Sequence, residues 1–335
     1  KRMQIESDTP EIYSGVRFGK TLGSPIGIII KNKDWKNWEN KMSVSKINNT
    51  NKDVTIPRPG HADLAGLMKY DFRDIRNVLE RSSARETAMR VALGSVCRKL
   101  LDRLNIQIGS YVYKIYNIID SSNYMHLSPL EINKKADKSS VRSLDKTIDK
   151  KMVNTIKEAM NEGDSVGGAF QVHVSGVPYG LGGYTSWDEK LNARLGQAIL
   201  SINGIKSFSI GLGAESDNKR GSELHDEIGF QNNKFTRMSN NCGGIEGGMS
   251  NAQPIIISAT MKPIPTLTKP LKSVDIKTKK QTLAHKERTD SCSVPAASII
   301  AESMVCMVIC DAILEKFGGD SIEQLESHMK ASAQY

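Results

Sequence analysis

Residues 296–314 read AASIIAESMVCMVICDAIL, the most apolar run in the chain. Its length approaches that of a membrane span, but Glu302 and Asp311 lie inside it, and ionised side chains are costly in hydrocarbon. The run therefore reads as a helix buried in protein, and no membrane partner is expected. Gly318-Gly319 follows Phe317 as a stop signal, which places the helix over Pro295 to Phe317. Cys306 and Cys310 fall one turn apart on it and share a core-facing side. The five cysteines include no C-x-x-C pair, so no metal is expected, the thiols read as reduced, and the chain reads as cytoplasmic.

A buried helix needs partners, and the rest of the chain supplies them. With 39% hydrophobic and 25% charged residues in 335, the composition excludes a disordered, collagen-like or disulfide-scaffold chain. Strands are expected at 4–6, 11–13, 26–30 (buried), 106–119, 167–174, 206–211 and 254–261. Helices are expected at 72–104, with Asp71 capping the start, at 146–160 and at 187–202. Gly15 to Thr21 is one residue too short between its glycines for a phosphate-binding loop, and a hairpin turn is the better reading. Strands and helices do not alternate, which points to an α+β fold with antiparallel sheets. The expected organisation is one domain over 1–335. Polar residues 120–162 read as a surface excursion, and Lys- and Thr-rich residues 268–292 as a mobile basic loop.

The net charge of +9 suggests an anionic partner: nucleic acid, a membrane surface or a phosphorylated small molecule. Five segments carry groups suited to anions or protons. Arg58-Pro59-Gly60-His61-Ala62-Asp63 is a stiff turn that presents an imidazole beside a guanidinium. Arg81-Ser82-Ser83-Ala84-Arg85 places two arginines one helical turn apart beside small hydroxyls. Asn240 to Gly248 is dense in glycine, so its backbone N–H groups can cradle an anion. Lys262-Pro263-Ile264-Pro265-Thr266 follows a strand and is stiffened by two prolines. Arg288-Thr289-Asp290 sets a cation, a hydroxyl and a carboxylate in a row.

Together and in this order, these segments resemble the chorismate synthases. The likeness runs from SGVRFGKTLGSPIGI through RPGHADL, RSSARETAMRVA, GDSVGG, GVPYGLG, SINGIK, NNCGGIEGGMSNAQPI, KPIPTL and ERTD to the last long helix. The resemblance implies a β-α-β sandwich with antiparallel sheets flanking central helices, assembled as a homotetramer. It implies a lyase that converts 5-enolpyruvylshikimate 3-phosphate to chorismate by 1,4-anti elimination of phosphate. Reduced FMN (FMNH2) is required and comes from an external source that draws on NADPH. By the same resemblance Arg81, Ser82, Ser83, Asn203, Gly204, Gly247, Lys262, Pro263, Ile264, Pro265, Thr266, Arg288 and Thr289 bind the flavin. Arg2, Arg58, Arg85 and Arg288 bind the substrate's phosphate and carboxylates. His61 and Asp290 are the implied catalytic proton carriers.

The family's pattern begins earlier than Lys1, with a G-E-S-H-G motif and an arginine-rich segment. The expectation is therefore a chain that lacks the family's N-terminal segment and, as it stands, is nearly inactive. Gly204, Cys242 and Thr289 also depart from the usual family residues. Two alternatives follow from the residues alone: a basic nucleic-acid-binding protein, or a truncated inactive relative. Against the first, only 6% of residues are aromatic and no stacking motif is interleaved with the basic residues.

Overall fold

The computed structural model describes residues 8–45, 53–287 and 289–333. In chain order the elements are β1 (Pro10–Ser14), β2 (Val16–Arg17), β3 (Lys20–Thr21), β4 (Gly27–Ile30), α1 (Asp63–Tyr70), α2 (Arg76–Ser82) and α3 (Thr87–Arg103). Then come β5 (Gln107–Ile115), β6 (Ile118–Ile119), α4 (Pro129–Ala136), α5 (Lys146–Asn161), β7 (Gly168–Ser175), α6 (Leu191–Leu200) and β8 (Ile205–Ile210). The chain closes with α7 (Gly221–Leu224), β9 (Ile228–Gln231), β10 (Lys234–Arg237), β11 (Ile245–Glu246), β12 (Met249–Ser250), β13 (Ile255–Met261), β14 (Lys272–Val274), β15 (Gln281–Leu283), α8 (Val294–Phe317) and α9 (Ile322–Ala331). It folds as two compact units. The first holds Lys1–Ala92, Met160–Ser165 and Ile264–Ser291; the second holds Leu93–Ala159, Val166–Pro263 and Cys292–Tyr335.

The second unit is built on a five-stranded sheet in the order β6-β5-β7-β13-β8, antiparallel at every pairing. Helix α8 packs on β5, β7 and α6. It is buried on several sides, with Ala301, Val305, Cys306, Ile309 and Ile313 fully inaccessible. That explains an apolar sequence with little amphipathic pattern. Both charges inside the run are paired. Asp311 meets Arg194. Glu302, 3% exposed, accepts from Arg98 Nη2 at 2.6 Å, Ser110 Oγ at 2.6 Å, Asn133 Nδ2 at 3.1 Å and Arg142 Nη2 at 3.1 Å. The opening inference of a protein-buried helix holds for that reason: its carboxylates have partners that hydrocarbon would lack.

Several details differ from the sequence reading. The 72–104 helix breaks: α2 ends at Ser82, and Ser83 is extended with ψ 133°. A 3-10 turn, Ala84–Glu86, precedes α3. The Ser83 hydroxyl accepts from the Arg85 N–H at 3.2 Å, a local bond that competes with helix continuation. Asp71 does not start a helix; it ends α1 in the left-handed region at φ 51°. Residues 120–162 are no mere surface excursion, since Ile132, Ala136 and Met152 are completely buried. Residues 268–292 hold the β14–β15 hairpin instead of a mobile loop. That hairpin is tied to residues 53–57 by Ile276 N–H to Thr55 O at 3.0 Å, Ser273 to the Pro57 carbonyl, and Lys277 to Asp53 at 2.7 Å. The strand expected at 26–30 forms as β4 and pairs with β1, but it is only half-buried. Gly15 to Thr21 forms the β2–β3 hairpin. The strand expected at 4–6 lies outside the described residues.

Two predictions follow from the second unit. A Cβ at Gly94 would sit 2.5 Å from Ser303 Cβ and 2.7 Å from its Cα, so α3 and α8 touch at backbone distance. Gly94→Ala is expected to lower stability in urea denaturation by about 1–3 kcal/mol, because overpacking outweighs the gain in helix propensity. His173 is buried and its pKa is depressed to about 4 by desolvation. Its neutral form is the folded form, so the stability it contributes is present above the unfolded pKa and is lost as pH falls. Between pH 6.5 and 4 the unfolding free energy should drop by about 3 kcal/mol from this group. His173→Gln should flatten that part of the pH–stability curve.

Candidate active site

In the first unit the turn at 58–63 runs directly into α1, so Asp63 is its first helical residue, where the helix dipole favours a carboxylate. Gly60 adopts φ 75°, which closes the turn. Asp63 is 1% and Arg58 7% exposed. Asp63 Oδ2 accepts from the Arg58 backbone N–H and from Nε, both at 2.9 Å, and Oδ1 accepts from Nη2 at 3.2 Å. The same Oδ1 lies 2.5 Å from His61 Nδ1. Burial by itself would raise the Asp63 pKa. Hydrogen bonds from His61 and from the Arg58 side chain and backbone outweigh it and hold the carboxyl well below the usual range. Arg58 Nη1 donates to Thr266 Oγ1 at 2.9 Å and lies 3.6 Å from Glu287 Oε2. Glu287 Oε1 is 3.6 Å from His285 Nε2.

The fold thus brings Arg58, His61 and Thr266 together across more than two hundred residues of sequence. It also adds two residues that the sequence reading left out of the site, Asp63 and Glu287. Asp63 was legible in the motif itself. Glu287 was not, because only the path of the β14–β15 segment sets it beside Arg58. Most of the Arg58 donors are engaged by the chain's own groups. Arg81 is exposed in the last turn of α2, and Arg85 lies beyond the break, so they do not form the expected pair on one helix face. Arg85 grips Asp8 with both terminal nitrogens, Nη2 to Oδ1 at 2.6 Å. The Ile264 carbonyl accepts from Ser165 Oγ at 2.7 Å. Thr289 Oγ1 donates to the Asp290 carbonyl at 3.0 Å, and the Asp290 side chain is exposed. Arg2 and Arg288 lie outside the described residues.

In the second unit Asn203 and Gly204 form the turn before β8, with Gly204 at φ 84°. The Gly204 carbonyl accepts from the Lys262 N–H at 2.9 Å, which places the Lys262-Pro263 end of β13 beside the turn. The Lys262 pKa is lowered by burial and by the neighbouring Lys206 ammonium, a setting that an anion relieves. Three positions of the glycine-dense loop are set by close backbone approach. A Cβ at Gly243 would meet Gly211 N at 2.2 Å, one at Gly244 the Pro254 carbonyl at 2.6 Å, and one at Gly248 the Gly183 carbonyl at 2.8 Å. These three glycines permit close backbone packing. Gly247 is the exception: at φ 60°, the space a Cβ would fill has nothing within 4 Å. Among the described residues no group of three or more metal-ligand side chains occurs.

A family model described as chorismate synthase matches residues 1–314. A chorismate synthase of Alkaliphilus metalliredigens is 51% identical over 331 residues, covering 98% of this chain and 86% of that protein. One of Aquifex aeolicus is 48% identical, covering 98% of this chain and 85% of that protein. A crystal structure of chorismate synthase matches 97% of this chain and 83% of its own with a TM-score of 0.78 at 39% identity. Identity near one residue in two along almost the whole chain, on the same fold, decides the matter: the chain belongs to the chorismate synthase family.

Proposed function

We propose that the chain performs its family's reaction, the 1,4-anti elimination of phosphate from 5-enolpyruvylshikimate 3-phosphate to give chorismate, with reduced FMN as cofactor. The family makes it a lyase of aromatic amino acid biosynthesis in the shikimate pathway. The observation that carries the site-level reading is the His61 cluster. An imidazole with one nitrogen held by a buried carboxylate is equipped to hold or move a proton at the other.

The residues present fit a flavin mononucleotide. The Lys262 and Lys206 ammoniums supply the positive charge that a phosphate takes, and beside Gly247 the position of a Cβ has nothing within 4 Å. Reduced FMN, when bound, supplies an electron-rich ring that eases the departure of phosphate. In the second unit we assign Asn203, Gly204, Gly247, Lys262 and Pro263 to flavin binding. In the first unit we assign Arg81, Ser82, Ser83, Ile264, Pro265, Thr266 and Thr289, with Arg288 added on the resemblance alone. Arg58 and Arg85 are assigned to the substrate's anionic groups, with Arg2 again on the resemblance alone. Arg85 already holds a carboxylate, that of Asp8, in the forked arrangement that a substrate carboxylate takes. Negative charge grows on the leaving phosphate, and preorganised cations lower that barrier. His61 holds a proton at its ring, and the exposed Asp290 carboxylate accepts one. An external, NADPH-dependent source of reduced flavin, a homotetramer and a cytoplasmic location complete the reading. A nucleic-acid role is not favoured by the family match.

The test is an anaerobic assay with reduced FMN and 5-enolpyruvylshikimate 3-phosphate, on the chain with and without the family's N-terminal segment placed before it. In the form that turns over, His61→Ala is expected to lower kcat by about 10²–10⁴-fold; full activity in that variant would remove His61 from the chemistry. Lys262→Met is expected to weaken FMN binding about tenfold, corresponding to about 1.4 kcal/mol, measured by flavin fluorescence titration.

A further inference from the structure

Asp63 belongs to no binding or catalytic role assigned above, yet it is the most deeply buried charge of the first unit's cluster. Its carboxylate accepts four contacts at once: the Arg58 backbone N–H, Nε and Nη2, and His61 Nδ1. Being anchored to a backbone N–H and fixed at the start of α1, it cannot swing with its partners. An ionised carboxylate only accepts hydrogen bonds. At 2.5 Å from Oδ1, His61 Nδ1 must therefore carry a hydrogen.

The position of Arg58 decides what remains at the other ring nitrogen. Its Nη2 lies 3.2 Å from both Nδ1 and Nε2. A point equidistant from both nitrogens at that range would collide with Cε1–H if it lay in the ring plane, so the guanidinium edge sits over the ring face. It does not occupy the in-plane lone pair of Nε2. The His61 side chain is 18% exposed, so the ring is not sealed from solvent. The charged groups around the ring are Asp63 at Nδ1, Arg58 over its face, and Glu287 with His285 behind Arg58. Glu287 and Thr266 both touch Arg58 Nη1 and hold the guanidinium in place from the side away from the ring.

From this geometry we infer that Asp63 is a positioning residue that acts through His61, fixing the ring hydrogen on Nδ1 and committing Nε2 to proton exchange. The inference rests on the reading that His61 moves a proton in the reaction. It requires that Asp63 touch neither substrate nor cofactor.

The first measurement uses the unaltered protein and needs no turnover. Nitrogen-15 NMR of the labelled histidines, with H61A to assign the signal, should show neutral His61 as the Nδ1–H tautomer. An Nε2–H tautomer would overturn the inference, and this holds even if the variant below does not fold. Asp63→Asn is then expected to lower kcat about 10²-fold with KM changed by less than about threefold. Introduced into H61A, the same change should cost less than about threefold further. An equal loss in both backgrounds would make Asp63 merely structural, and unchanged activity in D63N would exclude any role. Full activity in H61A, by contrast, would sink the His61 reading while leaving the NMR result to stand for the geometry.

Discussion

A carboxylate inside an apolar helix is the constraint on which the second unit depends. Glu302 lies inside α8, and desolvating it without partners would cost several kcal/mol. Its partners come from four separate places: Arg98 on α3, Ser110 on β5, Asn133 on α4 and Arg142 after it. Arg142 also donates to the Ser110 carbonyl at 2.8 Å and to Asn133 Oδ1 at 2.9 Å, and it adopts φ 60° to do so. A left-handed arginine is strained, and the network that holds it offsets that strain. One charge thereby specifies how a sheet, two helices and a loop meet a third helix. Replacing it with an apolar residue would remove the electrostatic cost and with it the specification.

The same rule governs the first unit. Asp63 is as buried as Glu302 and as fully partnered, and its partners are a histidine and an arginine. Removing one member of such a buried pair typically costs about 3–5 kcal/mol, because the other charge is stranded. The cluster is therefore held stiffly, with the imidazole and the guanidinium fixed against one carboxylate. In the second unit burial, and then the neighbouring Lys206 ammonium, lower the Lys262 pKa.

Much of this was legible from the residues. The antiparallel α+β class, the buried helix at the C-terminal end, the β2–β3 hairpin and the helix at 146–160 followed from pattern and punctuation, because local physics decides them. The motif RPGHAD announced an imidazole beside a guanidinium, and those side chains do meet. What pattern could not reveal was the break at Ser83, where a hydroxyl-to-backbone bond ends a helix that periodicity would have continued. Nor could composition reveal that residues 120–162 deliver Ile132 and Met152 to the interior, since a polar average hides a buried stripe.

By itself the sequence determined the family, the class of fold and the types of group available for chemistry, because hydrophobic period, turn residues and long motifs are local properties. The tertiary structure alone decided which groups are partners. It showed that the glycines at 243, 244 and 248 serve backbone packing while Gly247 faces open space, that Arg58 is gripped by Asp63 and Thr266, and that Glu287 reaches the cluster from a distant hairpin. The physical reason is that a buried charge is stable only where desolvation is repaid by specific neighbours, and those neighbours come from segments that are remote in the chain.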